Sequence, residues 1–335
     1  MKKKILDIVD SSVKAGLKRK QVCSLLQIDE RRIQRWYKRG QRLEDINTGP
    51  VNAPHALLDE EKEAIRNFAL KEEFIDDSHR VLAAKGADKG LFCASSSTVY
   101  KVMREDNLTA DRSGRAHKSG RSTAPDRPQI DGPNQRWCWD ISYCKTNVKG
   151  IFIYLFALLD EYSRKVISWR ISWNITHKEA MELIQEGLDN ESLSDIDIKM
   201  PDLINDRGTQ MKAKAFMRMC RELGIAQKFS RPRTPNDNPF IESLFSIVKG
   251  YHRYPGNFKD DIEAITYFSS FFDYYNNERY HGKIGFVTPV QKHTGQDKTI
   301  IERRMAGLRN ARKVRIETNK RKMYQQNIEN EMVLV

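Results

Sequence analysis

Three carboxylates stand out for where they sit. Asp140 lies inside the run Trp137-Cys138-Trp139-Asp140-Ile141-Ser142-Tyr143, Asp206 follows Leu203-Ile204-Asn205, and Glu242 follows Pro239-Phe240-Ile241. A charge among aromatic and aliphatic residues is costly unless it is paired or binds a cation. Carboxylate oxygens are hard ligands that suit Mg²⁺. Phosphodiester chemistry uses such ligands. Two divalent ions about 3.5–4 Å apart activate an attacking oxygen and stabilise a leaving one. The candidate catalytic and metal-binding set is therefore Asp140, Asp206 and Glu242, with two Mg²⁺ per site and Mn²⁺ as a substitute. Each acid alone also has a local role open to it. Asp140 could pair with a basic neighbour, Asp206 could cap a turn at Arg207-Gly208, and Glu242 could stabilise a helix start. Only convergence would make them a site.

Convergence depends on the elements that carry them. Residues 136–144 alternate as a strand, with Trp137, Trp139, Ile141 and Tyr143 on one face and Cys138, Asp140 and Ser142 on the other. Two further strands follow, IFIYLFALLD and VISWRISW, joined by a turn near 161–164. Thr176 caps a helix to about residue 190, and DLIND is a short buried strand. A helix closed by Gly224, the strand AQKFS and a helix opened by Asn238-Pro239 come next, with Asn as cap and Pro in the first turn. A long aromatic helix covers about 260–279. Three strands, then helix, strand, helix, strand, helix, is the order of an α/β ribonuclease-H-like domain with a mixed five-stranded sheet.

At this point the chain resembles the bacterial insertion-sequence transposases whose core is similar to retroviral integrase, the insertion-sequence-three group and relatives. Their pattern is two aspartates and a glutamate, and here, as there, thirty-five residues separate the last two acids. The local motifs also match: W-C-W-D-I-S-Y around Asp140, D-E-Y-S-R at 160–164, N-D-R-G-T-Q at 205–210, R-P-R-T-P-N-D-N-P-F-I-E-S at 231–243, and Y-N-N-E-R-Y-H-G-K-I-G-F-V-T-P at 275–289. Ser142, Asn205 and Met211 depart from the usual residues without removing a carboxylate. The resemblance implies a DNA transposase that cuts one strand with water and joins the freed 3′-OH to target DNA at a single active site. It also implies that Lys249, two helical turns after Glu242 on the same face, contacts DNA. Asp160 and Arg164 fit a structural turn; Arg279 and His281 could bind phosphate or carboxylate neighbours, with ion pairing and packing the stronger reading. The alternative reading is a catalytically silent, domesticated DNA-binding regulator, which the intact triad opposes. A general nuclease of the same fold would leave the N-terminal helices unexplained.

The remaining chain supports a nucleic-acid partner. The 335 residues carry a formal charge of +13, which favours a polyanion. Residues 1–45 read as a helix-turn-helix domain. Its third helix, capped by Asp29, exposes Arg31, Arg32, Arg35 and Lys38 as DNA-binding candidates. Residues 55–108 read as a second such domain, capped at Ser95–Ser97 and offering Lys101 and Arg104. Residues 109–134 form a basic linker with Arg112, Arg115, Lys118 and Arg121. The catalytic core is expected at 135–297 and a basic tail at 298–335. The partners are double-stranded DNA, at element ends and target, and at least one further copy of the chain. The five scattered cysteines fit reduced thiols in a cytoplasmic, nucleoid-associated protein. No stretch approaches the ~20 apolar residues of a membrane span.

Overall fold

A computed structural model describes residues 2–39, 53–74, 77–109, 129–193, 199–206, 208–229 and 238–333. The chain divides into two compact units, Met1–Pro54 and His55–Val335. In the first, α1 (Lys2–Lys14), α2 (Arg19–Leu25) and α3 (Glu30–Arg39) enclose Leu6, Val9, Val22, Cys23, Ile33 and Trp36. Gly16 ends α1 with φ +96°. Asp29 caps α3 as expected, its Oδ1 accepting the Arg31 N–H at 2.8 Å.

The second unit opens with α4 (Asp59–Ala69), α5 (His79–Asp88) and α6 (Ser96–Glu105) around Ile65, Phe68, Leu82, Phe92 and Val99. The Ser95 hydroxyl caps α6 by accepting the Thr98 N–H at 3.2 Å. The linker arginines and lysine from Arg112 to Arg121 lie outside the described residues.

The core that follows is the expected α/β domain. Its strands are β1 (Arg136–Thr146), β2 (Phe152–Asp160), β3 (Val166–Ser172), β4 (Asp202–Asn205) and β5 (Gln227–Phe229), in the order β3-β2-β1-β4-β5. The β1–β2 and β2–β3 pairs are antiparallel, and β1–β4 and β4–β5 are parallel. This is the ribonuclease-H-like arrangement. A two-residue strand, β6 (Asn257–Phe258), adds to the far end of β1. Its shortness hid it from periodicity, which needs several residues to show.

Two apolar layers sandwich the sheet. Trp137, Trp139, Phe156 and Leu158 face α7 (His177–Asn190) and α8 (Lys214–Glu222). Helix α7 approaches so closely that a Cβ on Gly187 would lie 2.6 Å from the Leu158 side chain. Cys138, Leu155, Ala157 and Leu159 face α9 (Pro239–Gly250) and the aromatic α10 (Asp261–Asn277). The alternation expected along β1 therefore holds, and Asp140 lies in phase with Cys138, on the α9 side.

The C-terminal end differs from the expected basic tail. After α11 (Pro289–His293), a helix α12 runs from Asp297 to Val333. Arg304 pairs with Asp88 at 2.8 and 2.5 Å, and Asn319 donates to the Ala56 carbonyl at 3.0 Å. The reason is electrostatic: acids on α4 and α5 meet arginines of α12, which binds the helices of 55–108 and the core into one compact unit. Among the described residues, no helix is long and apolar enough to cross a membrane.

Candidate active site

Strand register brings the first two acids together. In the parallel β1–β4 pair, Arg136 stands opposite Asp202, Trp137 opposite Leu203 and Cys138 opposite Ile204. Carrying that register on by two residues sets Asp206 level with Asp140. Asp206 has just left β4 and is exposed. Its Oδ1 accepts the Gly208 N–H at 2.8 Å, so the turn-capping role exists. A Cβ on Gly208 would sit 3.0 Å from that oxygen and 2.7 Å from Gln210 Nε2. Glycine at 208 keeps the Asp206 carboxylate free of that crowding.

Glu242 comes from the first turn of α9. The side chain of Asn238 does not cap this helix as expected. Its Nδ2 instead donates to the Trp139 carbonyl at 3.3 Å, fastening the helix start to β1 beside Asp140. Pro239 occupies the first turn, where its missing N–H costs nothing. Ile241, Leu244 and Val248 bury the other side of the helix against the sheet, which leaves Glu242 exposed.

The electrostatics register the grouping. Burial pushes the Asp140 carboxyl up to about 7, and the charges of Asp206 and Glu242 push the same way against the Ile141 N–H, which donates to Asp140 Oδ1 at 2.8 Å. Desolvation also raises the Glu242 carboxyl. Among the described residues, no three aspartate, glutamate, histidine or cysteine side chains stand close enough to close round one metal ion. The three acids are thus within electrostatic reach but not drawn into a cage. An all-oxygen set whose most buried member is pushed toward the protonated form by burial, and further by the two neighbouring acids, fits a hard divalent cation.

The remaining candidates lie elsewhere. Lys249 is exposed in the last turn of α9, and its charge bears on Cys144. Arg31, Arg32, Arg35 and Lys38 are exposed on α3, with Arg32 5.5 Å from the centre of the Trp36 ring. Lys101 and Arg104 are exposed on α6. The segment 230–237, which holds most of the R-P-R-T-P-N-D-N motif, lies outside the described residues.

One group exceeds what the sequence indicated. Buried Asp160 accepts from Ser163 N at 2.8 Å, Ser163 Oγ at 2.6 Å and Asn134 N at 2.9 Å. His293 bridges Ser163 Oγ at 3.0 Å and Glu191 at 2.7 Å. The structural role expected of Asp160 is present, but the network it anchors extends through Ser163 to His293, 130 residues beyond Ser163 along the chain. Only the D-E-Y-S-R motif hinted at it.

Parts of the chain are similar to known proteins. Residues 131–235 and 223–289 match two family models, each described as an integrase core domain. The chain is 27% identical over 201 residues to the InsK protein of insertion sequence element IS150 from Escherichia coli (strain K12), spanning 58% of this chain and 69% of that one. It is 25% identical over 203 residues to the transposase of IS904 from Lactococcus lactis, spanning 60% and 74%. Among solved structures it is similar to the HTLV-2 integrase catalytic core domain in complex with magnesium, at 18% identity and TM-score 0.38, over 49% of this chain and 99% of that one. A simian T-cell lymphotropic virus intasome matches at 19% identity and TM-score 0.40, over 67% and 73%. Fold, motifs and family matches define an integrase core, the catalytic domain of a polynucleotidyl transferase. The chain is a DNA transposase of the bacterial insertion-sequence kind.

Proposed function

We propose that this transposase cleaves and joins DNA at a site formed by Asp140, Asp206 and Glu242. The observation that carries the reading is the two-residue continuation of the β1–β4 register, which sets Asp206 beside Asp140, together with the effect of Glu242 on the same carboxyl. A core of this kind implies a divalent metal, and the three acids are the residues that would hold two Mg²⁺, or Mn²⁺ in their place. Such ions supply charge stabilisation at the attacking and leaving oxygens of an in-line displacement. The protein supplies position. Asn238 pins the start of α9, Gly208 leaves room at Asp206, and burial gives Asp140 a low-dielectric setting that strengthens its hold on a cation.

In the first step water attacks a phosphodiester at the element end, a P–O bond forms, and the 3′ oxygen leaves and takes a proton. In the second, that 3′-OH attacks a target phosphodiester, loses its proton, and displaces another 3′ oxygen. Residues 1–45 read the element ends through Arg31, Arg32, Arg35 and Lys38, and 55–108 add Lys101 and Arg104. Lys249 contacts DNA beside the carboxylates. Two ends must be acted on together, so the working form is at least a dimer, and its place is with the nucleoid.

The test is strand transfer on DNA bearing the repeats that flank the gene. Joining should require Mg²⁺ or Mn²⁺ and stop with a chelator. Asp140→Asn, Asp206→Asn and Glu242→Gln should each abolish it while end binding persists. Full joining by any one variant would remove that residue from the set.

A further inference from the structure

Arg164, Arg279 and His281 gather around Tyr275. Arg164 occupies the β2–β3 turn in the left-handed region, φ +68°. Its guanidinium lies over the Phe240 ring at 3.5 Å, and Phe240 shares the first turn of α9 with Glu242. Arg279 and His281 follow the end of α10, where the His281 ring meets Tyr275 edge-on at 4.7 Å. Burial first, then the charges of Arg279 and Arg164, hold the His281 imidazole down to about 3, so it is neutral at pH 7.

The ion pairing expected of Arg279 and His281 is not found among the described residues. Arg164 Nη1, Arg279 Nε and His281 Nε2 are shut from solvent with no hydrogen-bond partner. Leaving such groups unsatisfied is costly, and three in one cluster point to a missing acceptor. Guanidinium groups are permanently charged and donate only, so an anion is the acceptor they favour. It must present several oxygens, since the donors are three side chains from two separate segments. A phosphate group does this, and arginine is the side chain that favours it. The three residues are only partly buried, so the cluster reaches the surface.

We propose that Arg164, Arg279 and His281, the last as its Nε2–H tautomer, form a pocket for one backbone phosphate of the DNA that the carboxylate site acts on. The pocket rests on the transposase reading. Its position against Phe240 couples it to the helix that carries Glu242, so a seated phosphate helps to hold that helix in place.

Two metal-free measurements on the full chain test this. Neither involves catalysis, so they can fail while metal-dependent joining succeeds, and the reverse. The first is the melting temperature with inorganic phosphate, at constant ionic strength, for wild type, Arg279→Gln and His281→Asn. Phosphate should stabilise wild type and do so much less for either variant. His281→Asn serves if Arg279→Gln does not fold, and it leaves the charge at pH 7 unchanged. The second is binding to a random-sequence duplex across a salt series. Arg279→Gln, or Arg164→Gln in its place, should lower the log–log slope by about 0.9, the value for one phosphate contact. Stabilisation by phosphate with an unchanged slope would mean a free-anion site and overturn the DNA assignment. No difference between wild type and variants in the phosphate arm would overturn the pocket itself.

Discussion

Arg315 grips Glu61 with two nitrogens, Nε at 2.7 Å and Nη2 at 2.8 Å, although 254 residues separate them. The same Nη2 donates to the Cys93 carbonyl at 2.5 Å. Glu61 also accepts the Leu58 N–H at 3.0 Å and so helps to start α4. One arginine of α12 thus joins two separate parts of the helical module at 55–108, the start of α4 and the segment before α6. Breaking a wholly buried pair from one side costs about 3–5 kcal/mol. Partial exposure of Glu61 reduces this, and Arg315→Ala should cost about 2–3 kcal/mol. The check is the melting temperature of the full chain. A shift under one degree would mean that α12 is not a structural clasp.

That clasp changes where the chain should be cut. The helices of 55–108 share a compact unit with the core, so removing residues 1–108 would leave Arg304 and Arg315 without Asp88 and Glu61. Removing 1–54 takes away only the first unit. The 55–335 protein should keep the melting temperature of its unit and lose discrimination between element-end and random duplex. Within the first unit, Arg31→Ala, Arg32→Ala and Arg35→Ala should each cost about 1–3 kcal/mol of discrimination if they contact guanine. Footprinting at the ends by 55–335 as strong as that of the full chain would move end reading out of α3.

Asp140 gives a prediction for the metal-free protein. A carboxyl raised in the folded state costs stability once the pH passes its unfolded value of 3.8, and the cost is complete above about 7. With chelator present, Asp140→Asn should therefore melt higher than wild type at pH 8, with the gap closing toward pH 4. Added Mg²⁺ should reverse the order by stabilising wild type alone. The order staying unchanged with Mg²⁺ would argue that Asp140 does not hold the ion.

The His293–Glu191 contact titrates in the opposite sense. Burial works to raise the Glu191 carboxyl, but His293, Asn134 and Lys165 outweigh it and bring it down to about 2. This contribution is present above 4.5, the ordinary value, and is lost as pH falls toward 2. Burial works to lower His293, and Asp160 and Glu191 outweigh it and raise it above 6.5. Its contribution is complete below 6.5 and fades as pH rises through the folded value. The melting-temperature difference between wild type and His293→Gln should thus be largest between about pH 4.5 and 6.5 and shrink by pH 9. A difference that grows with pH would show that His293 is held neutral.

The sequence by itself determined the local elements and the identities of the acids. Alternation along 136–144 set which face of β1 carries Asp140, because side chains in a strand alternate with a period of two. Asp29, Ser95 and Pro239 marked helix starts, since those effects act within one turn. The spacing of Asp206 and Glu242 and the order of motifs named the kind of core. Asn238 was legible as a helix start but not as an anchor, because its partner, the Trp139 carbonyl, lies 99 residues away. The basic run after 297 gave no sign that Arg304 and Arg315 meet acids on α4 and α5. Nor did the motif around Arg279 and His281 reveal that they converge with Arg164 on Tyr275. Composition and periodicity report neighbours within a few residues. Contacts between distant parts of the chain depend on strand register and helix packing, and only the tertiary structure decided those.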